Sequence, residues 1–302
     1  MNNIYFAAID IGSNAVRLAV KSIGKDAANH TENLERELLI RFPLRLGKEV
    51  FIQGKISAKK AKQLQRLMKS FHQMLKIFSV TGLRACATSA MRDAANGREI
   101  ADSIRETTGI PVEIIGGEEE ARIIYETHIE RELGQENDYM YMDVGGGSTQ
   151  ISLIHSGKPA YSRSFNIGTV RMMSGKVGEK DMAAFLSELK NLRVQYPGFK
   201  LVGSGGNANK LYKLLRGEGS NYVLNVEKLR QLSLELTSLT VEKRMKQYKI
   251  KRDRAEVIGY AAGIFIRAAD VMQIGEIVVP SISISDGIIN NMLIEYMKAE
   301  IP

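Results

Sequence analysis

Asp143-Val144-Gly145-Gly146-Gly147-Ser148-Thr149 places a carboxylate at the end of an apolar run and follows it with three consecutive glycines. The run Tyr139–Met142 reads as a strand leading in and the alternating Gln150–Ile154 as a strand leading out, so the glycines fall in a hairpin turn. Residues without side chains can take positive φ and aim successive backbone N–H groups into one concavity, an anion nest. Ser148 and Thr149 add hydroxyl donors. Asp143 repels an anion, so beside a bound phosphate its use is toward a metal ion or an attacking water. A ligand-free glycine hairpin is the competing reading of this stretch taken alone.

The same order occurs about 130 residues earlier: Ile4–Ile9 is an apolar run ending in Asp10, then come Ile11-Gly12-Ser13-Asn14 and the alternating Val16-Arg17-Leu18-Ala19-Val20. Two copies of strand, aspartate, small polar turn and strand imply two related α/β domains facing each other across a cleft. A phosphate loop of the nucleotide-binding kind would run from strand to helix and carry Gly-Lys-Ser/Thr, which this turn lacks. A third loop, Gly203-Ser204-Gly205-Gly206-Asn207, does lie between a strand (Lys200–Val202) and a helix (Ala208–Leu215), where free N–H groups and the helix dipole favour an anion.

A chain of 302 residues suits about two domains of roughly 150 residues. Its single cysteine, Cys86, excludes an intrachain disulfide, and its four histidines (His30, His72, His128, His155) lack zinc-ligand spacing, so a metal is expected to be oxygen-bound. The sequence has no leading apolar signal and no run near the ~18 residues of a membrane span, which makes a cytoplasmic protein without a membrane partner the expectation. A formal charge of +8 suits a polyanionic partner or simply a solubilising surface. With no Trp and no basic stripe interleaved with aromatics, nucleic acid is not expected.

Between the turns, Glu37–Pro43 reads as a strand, and Ser57 caps a helix to Phe78 with an apolar stripe and a lysine-rich opposite face. Arg92 stands at the carboxyl end of the strand Leu83–Thr88, where it could fork onto phosphate oxygens or pair with Asp93. Gly116–Arg122 starts a helix of about 15 residues with Glu118, Glu119 and Glu120 in its first turn. Such carboxylates commonly complement the helix dipole, but one of them aimed at a phosphate centre could act as general base on water, and spacing does not say which. Later, Arg171 offers itself to an anion or an ion pair, and helices are expected over Val226–Tyr248, Arg254–Met272 and from about 286 to 298.

These motifs together resemble the exopolyphosphatase and guanosine pentaphosphate phosphohydrolase family, within the actin, sugar kinase and Hsp70 ATPase superfamily. The match runs along the chain: Ala8–Asn14, Ala87–Ala94, Gly117–Arg122, Asp143–Thr149, Ile167–Arg171, Gly203–Gly206 and the helix start Arg254–Ile258. The resemblance implies two ribonuclease H-like, actin-like ATPase domains, 1–124 and 125–302, with the last helix packing back on the first. It implies release of terminal orthophosphate from inorganic polyphosphate by glutamate-assisted water attack with Mg²⁺, with Mn²⁺ and K⁺ as further candidates. The alternatives are a guanosine pentaphosphate 5′-phosphohydrolase and a non-catalytic sensor of guanosine polyphosphates or polyphosphate. Carried over by position, Glu120 is the general base, Asp143 serves metal and water, and Asp10 is the matching metal residue. Ser13, Asn14, Arg92, Gly145, Gly146, Gly147, Ser148, Gly205, Gly206 and Asn207 resemble phosphate contacts. The expected partner is polyphosphate or a guanosine polyphosphate, with a homodimer as a candidate assembly. Two positions depart from the family pattern: Gln150 stands where glutamate is usual, and Asn207 where threonine is usual. The chain also lacks the additional C-terminal helical domains of larger members, which favours short chains or nucleotides as substrates.

Overall fold

The computed structural model describes residues 3–24, 33–125, 138–215, 222–280 and 282–300. Within it the chain divides into two compact units, Met1–Thr127 together with Ile284–Pro302, and His128–Ser283.

The first unit opens with β1 (Asn3–Ile11), β2 (Val16–Gly24) and β3 (Glu35–Phe42), followed by α1 (Leu46–Gln53) and α2 (Ala58–Phe78). Then come β4 (Gly82–Ala87), α3 (Ser89–Asp93), α4 (Gly97–Thr108), β5 (Val112–Ile114) and α5 (Gly117–Tyr125). The sheet order is β3-β2-β1-β4-β5, antiparallel across the first three strands and parallel from β1 through β4 to β5. The second unit contains β6 (Tyr139–Val144), β7 (Thr149–His155), β8 (Lys158–Phe165), α6 (Thr169–Met173), α7 (Glu179–Gln195), β9 (Lys200–Ser204) and α8 (Gly205–Leu215). It continues through β10 (Val223–Asn225), α9 (Val226–Ser238), α10 (Val241–Tyr248), α11 (Arg252–Ala255), α12 (Ile258–Met272) and β11 (Glu276–Val278). Its sheet reads β8-β7-β6-β9-β11 in the same directions, with β10 added antiparallel on β11. In both units the third strand is followed by a short helix, a long helix and the first parallel strand. The duplication inferred from two Asp-turn motifs thus extends strand for strand.

Burial explains these elements. In β1 every residue from Phe6 to Ile11 is buried, as expected of a central strand covered on both faces. The second core gathers Met140, Met142, Ile151 and Leu201 of the sheet with Phe185 and Leu189 of α7 and Ile258, Ala262 and Phe265 of α12. Each such fully buried large side chain contributes about 1.5–3 kcal/mol. The last helix, α13 (Ile284–Glu300), places Ile284, Ile288, Ile289 and Leu293 in one cluster with Ile4, Phe6 and Ala8 of β1 and Ile123 of α5, and its Asp286 pairs with Lys21 at 2.8 Å.

Two local expectations change, and one element was not foreseen. That element is α1, which follows Arg45 in the left-handed region at φ 60°. The expected helix Val226–Tyr248 breaks at Leu239, because the Thr240 hydroxyl accepts from Lys243 N at 3.3 Å and caps a new helix. The helix expected from Arg254 divides into α11 and α12 at Glu256–Val257. Ser57 caps α2 as expected, accepting from Lys60 N at 3.3 Å. For the helix starting at Gly117, residues after 125 lie outside the described residues, as do His30 and His128.

Candidate active site

Each Asp-turn is closed by one equivalent hydrogen bond, Gly12 N to Ala15 O at 3.1 Å and Gly145 N to Ser148 O at 2.9 Å. In each, the turn's carbonyls are taken by the short helix that follows the third strand. Gly47 N of α1 donates to Ser13 O at 2.8 Å. At the start of α6, Thr169 N donates to Gly145 O at 3.0 Å, and Val170 N and Arg171 N donate to Gly146 O at 2.7 and 3.1 Å. Arg171 Nε adds a bond to Gly147 O at 2.7 Å. With the carbonyls drawn to one side, the N–H groups of Ser13, Gly146 and Gly147 donate to no acceptor among the described residues. That is the polarity an anion nest requires.

The glycine requirement has a different origin from the one expected. None of Gly145, Gly146 and Gly147 has φ in the left-handed region. Crowding requires a further glycine beside the turn: a Cβ on Gly168, at the N-terminus of α6, would lie 2.5 Å from Gly146 O and from Gly147 N. The turn and the helix start are pressed together backbone to backbone. Positive φ occurs at Gly205, at 78°, where β9 passes straight into α8, so Gly205, Gly206 and Asn207 form the helix's first turn rather than a loop before it.

The hairpin register places Arg17 directly across from Asp10, and Gln150 directly across from Asp143. Arg17 Nη1 meets Asp10 Oδ2 at 2.5 Å, with Asp10 only 3% exposed. Gln150, equally buried, donates through Nε2 to Ser148 Oγ at 2.8 Å and Ser164 Oγ at 3.3 Å. The position that departs from the family pattern therefore holds the Ser148 hydroxyl of the turn. Asn207 is also committed to the protein: Nδ2 donates to Val144 O at 2.6 Å and Oδ1 accepts from Arg254 Nη1 at 2.5 Å. Through Arg254 it ties the start of α8 to β6 and α11.

In the first unit α3 is the connector. Ser89 Oγ lies 2.9 Å from Ser13 Oγ, and one turn later Arg92 Nη1 donates to Ile115 O at 2.9 Å and stands 3.9 Å from Glu120 Oε2. Residues three apart share a helix face, so one short helix reaches both the Asp10 turn and Glu120. The Arg92–Asp93 pairing is as distant, at 3.9 Å.

The three glutamates of α5 now differ. Glu119 accepts from Arg84 Nη2 at 3.0 Å and from Arg122 Nη2 at 2.8 Å. Burial pushes its carboxyl upward, but the hydrogen bonds from Arg122 and Arg84 outweigh that and hold it below the usual carboxylate range. Glu119 is a structural ion pair. Glu120 is 9% exposed, on the first turn of the helix and beside Arg92.

Residues 27–295 match the model of the Ppx/GppA phosphatase family. The chain belongs to the Ppx/GppA phosphatase family. Its members hydrolyse phosphoric anhydrides. Among solved structures, a family member from Aquifex aeolicus matches 100% of both chains at 24% identity with a TM-score of 0.76. An exopolyphosphatase from Cytophaga hutchinsonii matches 96% of this chain and 98% of that chain at 21% identity with a TM-score of 0.83. Both share the two-domain actin-like fold.

Four residues that hold these turns and helix starts within their own units were not singled out from sequence: Arg17, Ser89, Gly168 and Arg254 as the partner of Asn207. Arg17 was accessible in principle, because a tight turn between two alternating strands fixes which residues face each other. The other three are set by tertiary approach. No helix among the described residues is long and apolar enough to cross a membrane. Nor do three metal-ligating side chains cluster among them. A Mg²⁺ ion that keeps its waters and shares substrate oxygens needs only one or two protein carboxylates. Across from Asp143 stands the neutral amide of Gln150, and across from Asp10 the guanidinium of Arg17.

Proposed function

We propose that the protein releases terminal orthophosphate from inorganic polyphosphate, short chains in particular, with Glu120 as the general base. The observation that carries this reading is the α3 connection, in which Ser89 meets the Asp10 turn and Arg92 stands 3.9 Å from a buried Glu120 while Glu119 is tied to two arginines. Glu120 takes a proton from water as the water oxygen bonds to the terminal phosphorus. The bond from that phosphorus to the bridging oxygen breaks, and the shortened chain leaves with the electron pair. Arg92 offsets phosphate charge beside Glu120. The N–H groups of Gly146 and Gly147 and the first turn of α8 bind phosphate oxygens.

A bound Mg²⁺ would be held by Asp143 and would supply charge neutralisation of the phosphate oxygens. Asp10 serves chiefly as the buried partner of Arg17, and Gln150 and Asn207 position the turn and the start of α8.

The test is phosphate release over a panel of polyphosphates of increasing length and guanosine pentaphosphate at matched concentration, with Mg²⁺, Mn²⁺ and K⁺ varied. Faster release from short polyphosphate supports the proposal. Faster release from guanosine pentaphosphate replaces the substrate, and tight binding without turnover under every metal replaces hydrolysis by a sensing role.

A further inference from the structure

The second unit contains a cavity of about 510 Å³, which is within the range of small-molecule sites. It is lined by Met172 and Met173 of α6, Ser233 and Thr237 of α9, Val241 and Arg244 of α10, and by one stripe of α12 together with Glu256. The stripe is Gly259, Tyr260, Gly263 and Arg267, positions that recur on one helix face. Neither glycine is needed for close packing: a Cβ at Gly259 or Gly263 would meet nothing within 4 Å. The two glycines leave open space above α12, and Met172, Met173 and Tyr260 line the same cavity.

The polar groups of the cavity are not all equally available. Arg244 is used by the fold, donating from Nη1 to Ala255 O at 3.0 Å and from Nε to Leu236 O at 2.5 Å. Thr237 donates to backbone carbonyls of its own helix. Arg267, by contrast, has no ion pair or hydrogen bond among the described residues, and the same holds for the hydroxyls of Ser233 and Tyr260. Open space over two glycines, polarizable methionines and one uncommitted guanidinium in the same lining suit a planar aromatic group carrying an anion.

We propose that this cavity is a binding site for an aromatic anion of about nucleoside monophosphate size, its ring over Gly259 and Gly263 and its charge on Arg267. Occupancy reaches the anion nest through α6. Met172 and Met173 line the cavity, while the preceding residues Thr169, Val170 and Arg171 hold the carbonyls of Gly145, Gly146 and Gly147. None of the cavity residues belongs to that nest, so the site is regulatory.

The test titrates the full-length protein with 8-anilinonaphthalene-1-sulfonate and with its uncharged parent N-phenyl-1-naphthylamine, followed by fluorescence, and displaces each with AMP and GMP. The expected result is one saturable site for the sulfonate, displaced by a nucleotide. Gly263→Leu, which fills open space, should weaken both probes at least tenfold. Arg267→Gln should weaken the sulfonate about tenfold and leave the neutral probe within twofold. Circular dichroism melting checks that both variants are folded. Non-saturable binding to the wild type, equal binding by folded Gly263→Leu, or equal loss of both probes in Arg267→Gln overturns the proposal. Because the readout is binding, it stands or falls independently of the hydrolytic reading.

Discussion

Gly205 lies against the carboxylate of Asp143 so closely that a Cβ there would fall 2.6 Å from Oδ2 and nearer still to Oδ1. The first residue of α8 therefore sets the position of the carboxylate proposed to hold the metal. Gly205→Ala meets two penalties: a left-handed φ of 78°, which costs a residue with a side chain about 1–3 kcal/mol, and displacement of Asp143. The expected outcome is a stability loss of that size in urea unfolding, and a loss of phosphate release larger than the unfolded fraction accounts for. A folded variant with unchanged activity would show that the placement of Asp143 does not matter.

The two hairpins carry different partners opposite their aspartates, and this gives a test of metal binding. Gln150→Glu would set a second carboxylate opposite Asp143, and like charges directly across an antiparallel pair are destabilising. The melting temperature of this variant is expected to fall in the absence of divalent ions and to recover on addition of MgCl₂ by more than that of the wild type. A melting temperature insensitive to MgCl₂ would remove Asp143 as the metal carboxylate.

Asn207 and Arg254 form a unit. Truncating Asn207 removes two hydrogen bonds, Nδ2 to Val144 O and Arg254 Nη1 to Oδ1, a loss of about 1–3 kcal/mol. Asn207→Ala and Arg254→Ala are each expected to destabilise, and the double variant to destabilise by clearly less than their sum in a double-mutant cycle. Additive losses would mean that the two side chains act independently.

What could be read from the sequence follows from how local each feature is. The paired Asp-turns, the strands around them and the Ser57 cap depend on neighbouring residues, and their identities fixed them. The break at Leu239 is not legible because the leucine pattern runs unbroken up to it and apolar Val241, Met245 and Tyr248 follow, while one hydroxyl at Thr240 decides against a continuous helix. The roles of Asn207 and Gln150 were not legible, because a buried amide is defined by its partners, and Val144, Arg254, Ser148 and Ser164 are brought to it by sheet register and by α11. The same holds for the glutamates of α5: spacing leaves three candidates, and the placement of Arg84 from β4 against Glu119 and of Arg92 from α3 against Glu120 separates those two.

Glu119 also supplies a pH signature. Its folded carboxyl is held below the ordinary value, so its contribution to stability is present above the unfolded value near 4.3–4.5 and is lost as pH falls through the folded value. Below about pH 4.5 the melting temperature of the wild type should drop more steeply than that of Glu119→Gln, while at pH 7 the variant is less stable by no more than about 1 kcal/mol. Parallel curves would show that the arginine contacts do not stabilise the charged form.

Cys86, buried in β4, has its thiol pushed up to about 12 by burial. At pH 8 the native protein is expected to resist alkylation by iodoacetamide for as long as it stays folded, and to react at once in urea. Rapid labelling of the native state, followed by mass spectrometry, would contradict the closed packing of β4 against α13.

In the proposed reaction Glu120 activates water. The direct measurement is orthophosphate release from short polyphosphate by Glu120→Gln, alongside its melting temperature and its substrate affinity. General-base loss predicts kcat lower by about 10²–10⁴-fold with the fold and binding retained. Wild-type kcat in a folded Glu120→Gln protein would contradict the account.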